Sequence, residues 1–186
     1  MSYTNKNAMY GIVAAVAIII VVAGVAAYVF LYAPSGGSNG GGGGGEDVYT
    51  ISNSTSLKFD VDLTIAGSLG TYTFQGKNLQ SATDLMLRVD TQPDTTVSTT
   101  YSYIFFAGNE TAYSSTDKGA WTESSDFQTD WTTWSGQFFG YVNHNPTWMS
   151  GGGDISYTDS AVGGDVVIHN IEINPTLADS LFTPTT

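Results

Sequence analysis

The chain reads as an α+β protein, mainly β: short antiparallel strands forming a curved sheet, barrel or sandwich, one or two short helices on the concave face, and a single transmembrane helix ahead of the domain. Three observations lead there. An uncharged apolar run spans Tyr10–Tyr32. Beyond residue 46, short segments alternate apolar and polar residues between Gly, Pro and Asn/Asp turn signals. One stretch breaks that rhythm: Phe127, Trp131, Trp134, Phe138 and Tyr141 are spaced 4, 3, 4 and 3, the spacing of one helix face.

Residues 1–9 form a short tail with Lys6 as its base. In "YGIVAAVAIIIVVAGVAAYVFLY", residues 10–32, a helix rising ~1.5 Å per residue is long enough for a hydrocarbon layer of ~30 Å. Tyr10, Tyr28 and Tyr32 sit near its ends, where an amphipathic ring suits the headgroup zone. A cleaved signal peptide is the competing reading, with Val25–Ala27 as the cut, but its apolar region is usually only ~7–15 residues. "NKNAMYG" fits a pilin-type leader poorly. All 17 acids lie at or after Glu46, against four bases in the same region, a formal charge of −13. With Lys6 and the amino terminus on the near side, the positive-inside rule puts the N-terminus in the cytoplasm and the domain outside.

Residues 33–46 contain "SGGSNGGGGGG", a flexible tether with an r.m.s. reach of roughly 20 Å. It holds residues 47–186 near the membrane and leaves them free to reorient. The acidic balance excludes nucleic acid, which needs a basic patch to neutralise phosphate. The absence of cysteine excludes disulfides, a catalytic thiol, thiolate metal sites and a thioether-linked lipid anchor.

The strands follow in order. In "LKFDVDLTIAG", Leu57, Phe59, Val61, Leu63 and Ile65 share one face, and Lys58, Asp60, Asp62 and Thr64 the other. Gly67 and Gly70 mark the turn after it. "TYTFQG", "DLMLRVD" and "TVSTTYSYIFFAGN" are the next strands, with a Pro93–Asp94 turn between the last two. "ETAYSSTDKGAW" supplies two short strands joined at "DKG". "DISYTDS" and "DVVIHNIEIN" close the set, with His169, Val167 and Ile171 facing opposite to Val166, Ile168 and Asn170.

The exception holds all four tryptophans, between Trp121 and Trp148. Ser124, Ser125 and Asp126 supply a cap and an early negative charge. Gly136 and Gly140 weaken the helix, so one or two short helices are expected rather than one long one. Trp121 belongs to the preceding hairpin, and Trp148 follows the break at Pro146. An amphipathic insert in a β domain goes against the concave face of the sheet. Phe127, Trp131, Trp134, Phe138 and Tyr141 are then a core plug, the lining of an apolar ligand pocket, or a partner surface.

In this order the motifs resemble the LolA-like lipoprotein-carrier superfamily, including lipoproteins of the LppX type. "LKFDVDLTIAGSLGTYTFQG" is similar to the family's opening meander, and "LMLRVD" to its next strand. "YSYIFFAGNETAYSSTDKGAWTE" resembles its hairpin, with Asn109, Tyr113 and Trp121 at the family's positions. The helical insert follows. "VVIHNIEINPTLADSLFTP" looks like the closing strand and ending, through Asn174, Asp179 and Phe182. The resemblance implies an antiparallel half-barrel whose open side is plugged by helices, with an acyl chain or other apolar ligand held between. It also implies a lipid-anchoring cysteine, which this chain replaces by a helix, and a larger domain.

The closing segment has its own physical account. Pro175 ends strand pairing, Asp179 is placed to cap a turn, and Leu177, Leu181 and Phe182 tuck back onto the sheet.

Chemistry-bearing groups are sparse. His144 and His169 are not brought together by any motif, and no triad, phosphate loop or dinucleotide fingerprint is present. Asp60 and Asp62 read as solvated charge. Asp154, Asp159 and Asp165 sit in Gly-Asp turns without a full calcium repeat. Asn53 and Asn109 head glycosylation triplets. The sequence thus predicts a membrane-anchored extracytoplasmic, non-enzymatic module without metal or cofactor. It binds a lipid or other apolar ligand between sheet and insert, or it serves as a structural or interaction protein of the cell envelope or a virion, with an envelope protein as partner.

Overall fold

The computed structural model describes residues 54–144 and 153–185. The predicted membrane segment Tyr10–Tyr32, the glycine tether, Asn53, Pro146 and Trp148 lie outside the described residues. Among the described residues, no helix is long and apolar enough to cross a membrane.

The strands are β1 (Ser56–Ile65), β2 (Ser68–Lys77), β3 (Met86–Gln92), β4 (Tyr101–Phe106), β5 (Thr111–Thr116), β6 (Thr122–Glu123), β7 (Ile155–Asp159) and β8 (Gly164–Ile173). Among the described residues, one α-helix, α1 (Phe127–His144), lies between β6 and β7. All eight strands form one sheet in the order β6-β5-β4-β3-β2-β1-β8-β7, which does not close. Every neighbouring pair is antiparallel. β1 to β6 form a meander, and β8 returns to pair with β1 on its free side.

Local chemistry explains the first hairpin. Ile65 pairs with Ser68, leaving Ala66 and Gly67 as a two-residue turn with φ of 51° and 84°. Both angles are left-handed, as a turn matching the strand twist requires. Gly70 lies inside β2 opposite Leu63, not in the turn as its identity suggested.

The alternation in β1 holds from Leu57 to Leu63: Leu57, Phe59, Val61 and Leu63 are buried and the residues between them half-buried, while Ile65 at the strand's end packs on the core half-buried. In β8 the alternation breaks. Asn170 has φ of 52°, and the β1–β8 register shifts between Lys58 and Asp60. This bulge adds one residue to β8. Ile171 therefore joins Val166 and Ile168 in the core, instead of sharing the face of Val167 and His169 as strict period two predicts.

The helix corrects a third expectation. It runs unbroken for 18 residues through Gly136 and Gly140. Each glycine costs about 1 kcal/mol against alanine. Phe138, Phe139, Tyr141 and Val142 are buried beside them, and burying such side chains contributes ~1.5–3 kcal/mol each. Packing outweighs propensity. The start is capped as the sequence suggested: Thr129 N donates to Asp126 Oδ1 at 3.1 Å, and Asp126 N donates to Ser124 Oγ at 3.1 Å.

One core joins α1 to strands β1–β5, β7 and β8. Phe59 and Phe74 are 0% exposed and Phe138 is 1% exposed. Ring centroids lie 5.2 Å apart for Phe59–Phe74, 5.5 Å for Phe59–Phe138 and 6.2 Å for Phe74–Phe138. Gly76 makes room for this contact, since a Cβ there would come within 2.9 Å of Phe138 Cζ and 2.8 Å of Leu79 Cδ2.

The other face of the sheet, here the outer face, carries a second, smaller core. Ile104, Leu177 and Phe182 are buried together, flanked by Met86, Phe106, Trp121 and Leu181. The tuck of Leu177, Leu181 and Phe182 thus occurs on the side away from α1. Asp179 does not cap the 3₁₀ turn Asp179–Phe182, whose N-cap residue is Ala178. Its carboxylate accepts instead from Lys77 Nζ, which also donates to Leu177 O at 3.1 Å.

We predict that Phe138→Ala lowers unfolding free energy by about 3–5 kcal/mol. Urea denaturation followed by tryptophan emission measures it.

Candidate functional site

The five predicted site residues are brought together. Phe127, Trp131, Trp134, Phe138 and Tyr141 all pack on the sheet through one face of α1. Their surroundings differ along the helix. Phe138 and Tyr141 are buried, whereas Phe127, Trp131 and Trp134 are half-buried. Trp134 lies tilted against Tyr103 at 4.7 Å, Trp131 lies 5.9 Å from Phe105, and Phe127 stacks on Trp131 at 5.8 Å. Tyr141 sits 5.6 Å from Phe74. Rings from both sides meet along the described length of the interface.

Burial sets the phenol chemistry here. It is the main cause that pushes Tyr103 up to about 12, with Tyr101, Asp130 and Tyr72 adding to it. Burial and Asp159 push Tyr157 up to about 12, and burial raises Tyr141 further. These phenols are therefore protonated at neutral pH.

Trp121 parts from Trp131 and Trp134. It packs on the outer face, 5.7 Å beneath the guanidinium of Arg88. Arg88 Nε and Nη2 donate to Asp90 at 2.8 and 2.9 Å, and Nη1 donates to Leu181 O at 2.6 Å. Ser102 Oγ donates to Asp90 Oδ1 at 2.6 Å. Beside this knot a groove of about 450 Å³ opens over β2, β3 and β4, bounded at one end by Lys118. Thr71, Thr73, Gln92 and Ser102 lie along it.

The sequence did not single out this groove. Its side chains come from strands up to 31 positions apart, between Thr71 and Ser102, and each is ordinary by itself. The available signal was register: Thr73 pairs with Asp90, and Asp90 with Ser102, a polar row at outward positions of three adjacent strands.

The remaining candidates stay apart. Asp60 is not merely solvated: it accepts from Thr73 Oγ1 at 2.6 Å and from Asn170 Nδ2 at 2.8 Å. His169 Nε2 lies 3.5 Å from Asp62 Oδ2 on the outer face, and His144 stacks on Tyr157 at 3.5 Å at the end of α1. Asp159 Oδ1 accepts from Ala161 N at 2.8 Å, which is turn chemistry. Asn109 is exposed in the β4–β5 turn, where Thr111 Oγ1 donates to its Oδ1. No group of three or more metal-ligating side chains occurs among the described residues.

Arg88→Ala removes the fork to Asp90, the bond to Leu181 and the contact with Trp121. We predict a loss of about 1–3 kcal/mol and faster hydrogen exchange confined to the C-terminal segment, read by mass spectrometry. A second prediction concerns alkaline pH. An unfolded tyrosine titrates near 10, whereas Tyr103 and Tyr157 titrate at about 12 in the fold. Their contribution is whole below about pH 10 and is lost as the pH rises through about 12. Urea midpoints should hold to about pH 9 and then fall, and Tyr103→Phe should flatten that fall.

No family model, curated protein or solved structure matches the chain.

Proposed function

We propose that the chain is a single-pass membrane protein with its N-terminus in the cytoplasm. Its outward domain is a non-enzymatic interaction module of the cell envelope or a virion that engages its partner through the sheet's outer face. The ring packing of Phe59, Phe74 and Phe138 carries this reading, because it fills the layer in which an internal ligand would sit. The outer face, by contrast, holds a groove above a fixed polar network. On this reading the open sheet and its helix form a half-barrel whose plug is solid, and the Gly tether lets the face turn toward its partner.

A second reading keeps a lipid or other apolar ligand between sheet and helix. The half-buried row Phe127, Trp131 and Trp134 favours it, as the end of the interface where a guest has least to displace.

Photo-cross-linking of the full chain in its native membrane separates the two. A cross-linker at Val97, half exposed at 50% and beside the groove, should give one stoichiometric adduct. A cross-linker at Gln128, exposed on α1, should give none. No adduct at Val97, together with a co-purifying apolar molecule that quenches tryptophan emission, overturns the first reading for the second.

A further inference from the structure

We infer that the outer-face groove over β2, β3 and β4 is a binding site for an acidic saccharide, a polyhydroxylated ring bearing one carboxylate. The inference rests on the outer face being the interaction surface, and it names the chemistry that surface takes.

The groove's position limits the ligand. Its floor belongs to β2, β3 and β4, each of which already has a paired strand on both sides. Backbone N–H and C=O groups there are spent on the sheet. An extended peptide, which binds by adding a strand to a free edge, gains nothing from this surface. Recognition must come from side chains.

The side chains limit it again. Thr71 and Thr100 hydroxyls make no hydrogen bond among the described residues. Thr73 and Ser102 donate to Asp60 and Asp90 but keep lone pairs to accept with. Gln92 Nε2 donates to Val97 O at 2.6 Å, leaving its carbonyl oxygen unused. The lining mixes these hydroxyl and amide groups with carbon in about equal measure, which suits a sugar ring, whose hydroxyls surround an apolar face. An apolar guest would strip water from these groups without replacing it. At about 450 Å³ the groove falls among small-ligand sites, large enough for a sugar ring or two.

Charge selects the acid. Asp90 is matched by the Arg88 fork, and that fork is used up on Asp90 and Leu181. Lys58 pairs with Glu172, and Lys77 with Asp179. Among the described lysines and arginines, Lys118 alone has no acidic partner, and it lines the groove. The adjacent Asp117 turns its Oδ1 back onto Thr100 N at 2.7 Å. A single lysine supplies one positive charge, which one carboxylate matches, whereas a phosphate monoester brings about −1.5 to −2 at pH 7 into a groove that already holds Asp90.

The test uses the full chain in detergent micelles, titrated with D-glucuronic acid and with D-glucose and followed by amide chemical shifts. Glucuronate should bind saturably with a Kd of about 1 mM, and glucose about tenfold more weakly. Lys118→Ala should abolish that difference, and Lys58→Ala, whose lysine is already paired, should leave it intact. The folded amide spectrum of each variant controls for misfolding. Absence of saturable binding by either sugar overturns the inference, as does a glucuronate preference that survives Lys118→Ala. If the sugars fail while the Val97 cross-link persists, the interaction surface stands and only its ligand class falls.

Discussion

The structure depends on one contact: the ring of Phe138 seated against Phe59 and Phe74 above the bare backbone of Gly76. β1 and β2 supply the two lower rings, and the helix supplies the third. A cysteine-free domain of this size has no covalent staple, so aromatic burial must fix the helix on the sheet. The remaining helix contacts extend that seat in both directions, through Tyr141 on one side and Trp134 and Trp131 on the other. Shape, not charge, sets this interface.

The two faces of the sheet are organised by different physics. The helix face is a continuous apolar layer. The outer face is divided: one part is covered by the C-terminal segment over Ile104, and the other is left as hydroxyls, amides and matched charges. Arg88 stands on the boundary, because one guanidinium serves the carboxylate of Asp90, the carbonyl of Leu181 and the ring of Trp121. That fork is the side-chain link between the covered part of the face and the groove.

Much of this was legible from the residues. The alternation in Leu57–Ile65 showed because one face meets the core and the other meets polar neighbours, so identity reports orientation. The helix face showed because Phe127, Trp131, Trp134, Phe138 and Tyr141 keep helical spacing. The unbroken length of α1 did not show, because Gly136 and Gly140 speak for local propensity while tertiary burial decides. The turn of Ile171 into the core did not show either, since a bulge is set by the partner strand and not by β8 alone. The sequence put Trp121 in the hairpin before the helix but not on a face; it lies on the side of the sheet opposite Trp131 and Trp134. The groove needed the register of three strands before its residues became neighbours.

The pairing of β8 with β1 has a bearing on how such a chain is made. Leu57 meets Ile173 and Ile65 meets Gly164, so the ladder between β1 and β8 joins residues about a hundred positions apart. The meander can assemble as it emerges, but one side of β1 lacks its partner until β8 arrives. Non-local pairing of this kind is slow, since loop closure must precede the contacts that reward it. On the reading proposed above, in which the domain crosses a membrane as an extended chain, that delay is useful: the sheet is completed by β8 only after the meander has been delivered.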